Sequence, residues 1–287
     1  IPGAYKESKV YSQLPTDGSG DFTFSRGTDN ATIVNEEGLI EKGYENLFLQ
    51  SNSFDTTWGR NSVSVTSGQS GYDGSSDAWL LESTNTTSSQ ISQSISLSGV
   101  QTFSVYAKAG TANYLLLYKL TDGARVWFDL LNGTIGSGGT NIDASIEDVG
   151  NGWYRCSFPF NGTTSNARIY VADTDNSFNS ALGSNIYIQD AMLNQGLVAY
   201  PYLETTTAPA YGGITANQPR LNYTGDCPSL LVEESRTQYL PYSEYLLGLG
   251  GDAGLDFNYN DATSPEGLTN AVQVVSNNTG QSYFGYF

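Results

Sequence analysis

Between residues 100 and 192 one device recurs: a short run of alternating side chains closed by a turn pair. Thr102-Phe103-Ser104-Val105-Tyr106-Ala107-Lys108 alternates, and so does Arg125-Val126-Trp127-Phe128-Asp129-Leu130. Asn132-Gly133 closes the second run; Gly150-Asn151-Gly152 precedes and Asn161-Gly162 follows the run from Trp153 to Phe160. A period of two places successive side chains on opposite faces of a strand. Asn-Gly pairs supply the positive φ that tight hairpins require. Further runs cover 167–171 and 185–190, and helical stripes are almost absent. The expected fold is all-β: an antiparallel β-sandwich of the jelly-roll kind, with flanking β segments and a partial second module.

The chain also carries a partial copy of itself. Residues 32–54 read much like 220–245, and Tyr72-Asp73-Gly74-Ser75-Ser76-Asp77-Ala78-Trp79 lines up with the stretch from Pro265 to Val272. Such repetition implies an array of similar β modules. The second copy stops at Phe287 soon after it begins, which leads to the expectation of a longer parent protein. Three parts are expected. Residues 1–43 form an extended arm with a β hairpin near 22–42. Residues 44–205 form the sandwich. Residues 206–287 form a linker and the opening strands of a second, incomplete module. The strand-like segments on either side of the sandwich resemble each other and are candidates to pair, with the sandwich inserted between them.

Composition excludes several functions. Lys and Arg total 12 against 29 Asp and Glu, a net charge of −17. Such a chain repels phosphate backbones and anionic membrane surfaces, so neither nucleic acid nor membrane insertion is expected. There is no His, which removes Ser-His-Asp and Cys-His catalysis and His-ligated zinc. Cys156 and Cys227 read as two free thiols. No apolar run is long enough to span a bilayer, and Ile1-Pro2-Gly3-Ala4-Tyr5 lacks the basic start and apolar core of a signal peptide. Carboxylate catalysis needs two acids facing each other. Glu36/Glu37 and Glu233/Glu234 are adjacent in strand-like segments and point to opposite faces, so no catalytic residue is expected. Asp173-Thr174-Asp175-Asn176 alternates oxygen ligands but lacks the Gly and terminal Glu of a calcium loop. It reads as a solvated turn.

Aromatic side chains carry the binding signal. Flat rings stack on pyranose faces while nearby polar groups take the hydroxyls. Alternation places Tyr106 with Lys108, Trp127 with Arg125 and Asp129, and Tyr170 with Arg168. Tyr106, Lys108, Trp127, Asp129, Arg168 and Tyr170 are therefore the candidate glycan-binding residues, expected on one outer or concave surface. The competing reading is that these aromatics cover sheet faces or pack between subunits. Trp153 reads as packing, and Trp58 and Trp79 have no assigned place. The first 30 residues carry Tyr5, Val10, Tyr11, Leu14, Phe22 and Phe24, too much apolar surface for an arm left in water. Assembly into a homo-oligomer is expected, with a trimer favoured.

The run from Tyr5 to Arg26, and Pro219-Arg220-Leu221-Asn222-Tyr223 with the stretch from Cys227 to Thr237, resemble segments of bacteriophage tail-fibre and other virion structural proteins. Gly152-Trp153-Tyr154-Arg155-Cys156-Ser157 resembles a strand of the jelly-roll modules those proteins carry, which are similar to carbohydrate-binding modules. The stretch from Tyr187 to Gly196, then Tyr200 to Thr206, resembles their closing strand and exit, except that Asp190-Ala191 stands where an apolar-Gly-Ala stretch is common. The resemblance implies a virion-surface, extracellular, non-enzymatic protein: a fibre, appendage or decoration component with a structural and adhesive role. Other virion proteins would be its partners. Two alternatives remain beside it: a glycan-binding module recognising host or environmental polysaccharide, and a non-catalytic piece of a virion-associated depolymerase. No cofactor is expected other than a structural calcium implied by the resemblance, with Asp55 and Asp190 as the matching positions.

Overall fold

A computed structural model of the chain describes residues 2–6, 9–12, 33–34, 40–41, 43–139, 143–212, 221–222, 229–230, 250–251, 255–263, 269–277 and 284–285. Among these the regular structure is entirely β. The first strands are β1 (Pro2–Lys6), β2 (Lys9–Ser12), β3 (Ile33–Val34), β4 (Ile40–Glu41) and β5 (Tyr44–Asn46). Next come β6 (Gly59–Asn61), β7 (Val63–Gln69), β8 (Ala78–Ser83), β9 (Gln90–Leu97), β10 (Val100–Ala109) and β11 (Tyr114–Lys119). They are followed by β12 (Arg125–Asp129), β13 (Thr134–Ile135), β14 (Ser145–Gly150), β15 (Trp153–Asn161), β16 (Thr164–Ala172) and β17 (Asn185–Gln195). Last are β18 (Ala210–Gly212), β19 (Leu221–Asn222), β20 (Ser229–Leu230), β21 (Gly250–Gly251), β22 (Leu255–Thr263), β23 (Thr269–Ser276) and β24 (Phe284–Gly285).

The described residues fall into two compact units. One runs from Glu45 to Ala210; the other draws on both flanks, within 1–44 and 211–287. In the flanking unit, β1 pairs antiparallel with β2, a hairpin where sequence reasoning expects an extended arm. A four-stranded sheet runs in the order β20-β19-β3-β4. Its central pair, Asn222 opposite Val34, is parallel and joins the segments before and after the sandwich, as their likeness suggests. Strand β23, the echo of β8, pairs antiparallel with the strand before it, as β8 does with β7. Glu36, Glu37, Glu233, Glu234 and Cys227 lie outside the described residues.

The sandwich is two six-stranded antiparallel sheets. The first runs β14-β15-β10-β17-β8-β7 and the second β13-β12-β11-β16-β9-β6. Alternation sets the faces. Phe103, Val105 and Ala107 of β10 join Cys156 and Phe158 of β15 and Ile186 and Ile188 of β17 in the core; Leu115, Leu117, Val126, Phe128, Ile169 and Val171 answer from the second sheet. Burial of such side chains is worth about 1.5–3 kcal/mol each before entropy is counted. Trp58 and Trp79 belong to this core. They pack with Phe48 and Phe54, and their indole N–H groups donate to the carbonyls of Gln50 and Asn52 at 3.0 Å each. Between β14 and β15, Asn151 (φ 56°) and Gly152 (φ 75°) form the two-residue hairpin turn with both residues left-handed. Cys156 is a free, fully buried thiol, and burial pushes its pKa well up.

The sandwich is closed by its own leading and trailing segments. The buried Asn46 amide donates to the carbonyls of Ala191 (3.1 Å) and Leu203 (2.8 Å), while its oxygen accepts from the N–H groups of Phe48 and Leu193 at 3.2 Å each. Thr205 Oγ1 donates to the Phe48 carbonyl at 2.7 Å and accepts from the Ser51 N–H at 3.1 Å. On the first sheet the buried Thr102 hydroxyl donates to the Gly196 carbonyl at 2.8 Å and the buried Asn194 amide to that of Val198 at 2.9 Å, which seats the start of the trailing segment there.

Candidate functional site

The six candidate residues do not share a surface. Tyr106 and Lys108 lie on β10, on the outer face of the first sheet; Trp127, Asp129, Arg168 and Tyr170 lie on β12 and β16, on the outer face of the second. The expectation of one face is corrected. Alternation tells which residues of a strand share a side, but sheet membership depends on pairing between distant strands.

The second-sheet cluster is closed over. Phe178, from the β16–β17 connection, meets the rings of Trp127 and Tyr170 edge-on at 5.5 Å each and that of Tyr118 at 5.7 Å. Trp127 is 0% exposed and donates its indole N–H to the Ser177 carbonyl at 2.8 Å. Arg168 sits 5.8 Å from the Tyr118 ring and donates to Asn166 Oδ1 (2.7 Å) and the Tyr170 hydroxyl (3.2 Å). Asp129 accepts from the Tyr114 hydroxyl (3.0 Å), the Asn132 amide (2.8 Å) and the backbone N–H groups of Leu131 and Asn132. Burial works to raise its pKa, and these bonds outweigh it and hold the carboxyl below the usual range. Its oxygens are occupied in shaping the turn. The Asp173–Asn176 turn is also structural: Asp175 accepts from the N–H and hydroxyl of Ser137 at 2.7 and 2.6 Å.

The first-sheet face is built differently. The Tyr72 ring, from the β7–β8 connection, lies flat on Tyr106, with centroids 3.8 Å apart and planes 3° apart. Tyr106 is only 9% exposed beneath it. Arg155 lies 5.4 Å from the other stacked partner, Tyr106, and Trp153 meets Tyr72 edge-on at 6.5 Å. Lys108 donates to the Asn151 carbonyl at 2.8 Å. Trp153 is buried packing, in keeping with its sequence reading.

Gln189, directly opposite Tyr106 on β17, holds the Tyr72 loop. Its oxygen accepts from the Tyr72 N–H at 3.1 Å, and its amide nitrogen donates to Asp77 Oδ1 (2.8 Å) and Ser75 Oγ (3.2 Å). Next to it the strand bulges. Ser104 opposes Met192 and Tyr106 opposes Gln189, so two steps along β10 meet three along β17. Asp190 takes the left-handed conformation there, φ 55°. The bulge turns its carboxylate toward the Tyr72 side, where strict alternation would send it into the core. Asp190 is 6% exposed and accepts from the Tyr72 hydroxyl at 3.1 Å; Tyr202 also hydrogen-bonds to it. Burial lifts its pKa to about 7, helped by the charges of Asp77 and Asp73 and opposed by the tyrosine bonds. Burial and the Asp190 charge in turn raise the pKa values of Tyr72 and Tyr202.

The calcium expectation does not fit this geometry. Asp55 is exposed, and the carboxylates that act on Asp190 are those of Asp77 and Asp73. Tyrosine hydroxyls engage the Asp190 carboxyl, and among the described residues no group of three or more His, Cys, Asp or Glu could hold a metal ion. Sequence reasoning missed Tyr72, Gln189 and Tyr202. The one signal for Tyr72 was a lone aromatic in the polar loop Gly71-Tyr72-Asp73-Gly74-Ser75.

No protein-family model matches the chain, and no curated protein matches it. Among solved structures it is similar to the enzymatically active domain of bacteriophage CBA120 tailspike protein 4, at 14% identity and a TM-score of 0.31, over 52% of this chain and 21% of that one. It is similar to the CBM22-1–GH10 modules of a Clostridium thermocellum xylanase complexed with xylohexaose, at 12% identity and 0.32, over 55% and 29%. It is also similar to TmCBM61 in complex with β-1,4-galactotriose, at 12% identity and 0.32, over 52% and 99%. At such scores none of these likenesses identifies a ligand or an activity.

Proposed function

We propose that the sandwich is a non-enzymatic glycan-binding module. The observation that carries this reading is the Tyr72–Tyr106 stack. Tyr106 backs one face of the part-buried Tyr72 ring, and the other is assigned to the C–H face of a pyranose. On the same sheet face stand residues suited to sugar hydroxyls: the exposed Asp73 and Asp77 of the Tyr72 loop, and the part-buried, cross-strand pair Lys108 and Tyr187. The carboxylates and the net charge of −17 oppose polyanions and favour a neutral glycan over a uronate-bearing one. A bacterial and plant polysaccharide array tests this. Binding to neutral glycans should be lost in Tyr72→Ala and kept in Tyr170→Phe on the opposite sheet, with no reducing sugar released. Equal binding by Tyr72→Ala and the unaltered protein would remove the reading.

We further propose that the module serves as the adhesive part of a bacteriophage virion appendage. This rests on the sequence resemblance of residues 5–26 and 219–237 and on the apolar side chains carried by residues 1–30. Deleting residues 1–24 should leave the sandwich folded while abolishing assembly or particle attachment. An unchanged oligomer would count against it.

A further inference from the structure

The bulge at Asp190 is unusual in three ways at once. A residue other than Gly takes a left-handed conformation. That residue is an acid, and it is 6% exposed. Its carboxylate meets hydroxyls from two connections far apart in sequence, Tyr72 and Tyr202. An outlier that the surrounding structure over-determines points to a function. The bulge shifts the alternation by one residue, so that Ala191 and Leu193 face the core beyond it. The same shift delivers the Asp190 acceptor to the Tyr72 hydroxyl.

The second tyrosine closes the arrangement. The Tyr202 hydroxyl lies 2.6 Å from Ser51 Oγ, and Ser51 Oγ accepts from the Thr205 N–H at 2.9 Å. The Asp190 N–H donates to Asn52 Oδ1 at 3.2 Å, and the Ala191 N–H to the Ser51 carbonyl at 3.0 Å. Asp190 is thereby tied to the leading segment by its backbone and to the trailing segment through Tyr202. Tyr72, by contrast, stands in a connection rich in Gly and Ser; its N–H is held by Gln189, its ring by Tyr106 and the edge of Trp153, and its hydroxyl by Asp190 and by Tyr106.

We infer that Asp190 is the positioning residue of the Tyr72 platform: by holding the Tyr72 hydroxyl it fixes the ring flat on Tyr106 and so preorganises the glycan-binding face. The inference rests on the reading of that face as the binding platform. Two stacked rings in contact tolerate sliding and lifting; a hydrogen bond at the ring's far end removes both motions. A ring ordered before the ligand arrives spares the ordering cost on binding.

The test needs no ligand. In protein labelled with ¹³C in tyrosine, the stacked rings of Tyr72 and Tyr106 should show strong mutual ring-current shifts. Asp190→Gly removes the carboxylate at a φ that Gly adopts freely, and Tyr72→Phe removes only the hydroxyl. Both should collapse the Tyr106 shifts toward ordinary values while the sandwich keeps a cooperative thermal transition. Asp190→Asn, which keeps one acceptor oxygen and tolerates the left-handed conformation, should restore most of the shifts. Unchanged Tyr106 ring shifts in folded Tyr72→Phe would overturn the inference, whatever Asp190→Gly does to folding. On the polysaccharide array, Asp190→Gly should weaken binding about tenfold, the loss expected for one buried hydrogen bond. Collapsed shifts with no glycan bound by the unaltered protein would leave Asp190 as the positioning residue and sink the glycan reading alone.

Discussion

Ser51 and Tyr202, 151 positions apart in the chain, meet hydroxyl to hydroxyl at 2.6 Å. The contact fastens the segment that leads into the sandwich to the segment that leaves it, and beside it runs the fully buried amide of Asn46. All four hydrogen bonds of that amide go to backbone groups of β17 and the two closing segments.

The closure should therefore depend more on Asn46 than on Ser51. Asn46→Ala leaves the buried Ala191 carbonyl, the part-buried Leu203 carbonyl and the buried N–H groups of Phe48 and Leu193 short of a partner. It should cost about 3 kcal/mol or more, against roughly 1–2 for Ser51→Ala. Urea denaturation of both variants checks the order, and equal midpoints would contradict it.

The buried acid gives a pH signature. The Asp190 pKa is raised from 3.8 to about 7 in the folded protein, so between those values the native state holds a proton that the unfolded chain has released. Stability from this group is therefore full below pH 4, declines as pH rises and is lost above about pH 7. Asp190→Asn should be more stable than the unaltered protein at pH 8, with the advantage shrinking by pH 5. Denaturation at the two pH values checks this; a difference independent of pH would refute it.

Trp127 should behave as core although it lies on an outer sheet face. It is fully buried under Phe178, so Trp127→Ala should destabilise by roughly 3–5 kcal/mol. Under conditions where that variant remains folded, array binding should be kept. Loss of binding with an intact thermal transition would transfer the platform to the second sheet.

Gly71 is a close-approach position. A Cβ there would overlap Gln189 Oε1 and Ser75 Oγ and lie 2.8 Å from Asp73 Oδ1. Gly71→Ala should dislodge Gln189, weaken the bond from the Tyr72 N–H and reduce glycan binding with little loss of global stability. The ratio of array signal to thermal midpoint, compared with that of Tyr72→Ala, measures this.

The local pattern of the chain determined the strands, their faces and their turns. Phe103, Val105 and Ala107 fall on one side of β10 and Tyr106 and Lys108 on the other because the strand period is two. Asn151-Gly152 makes its turn because both residues accept positive φ. Tertiary structure alone decided which of those faces belong together. Tyr106 and Tyr170 have similar local surroundings, yet β10 pairs with β15 and β17 while β16 pairs with β11 and β9, and the two rings end on opposite sheets. The same holds for the site. Tyr72 reaches Tyr106, and Asp190 reaches Tyr72, through a loop and a bulge; alternation carries no information about an extra residue in a strand or about where a polar loop will lie, because both are set by contacts between residues more than a hundred positions apart.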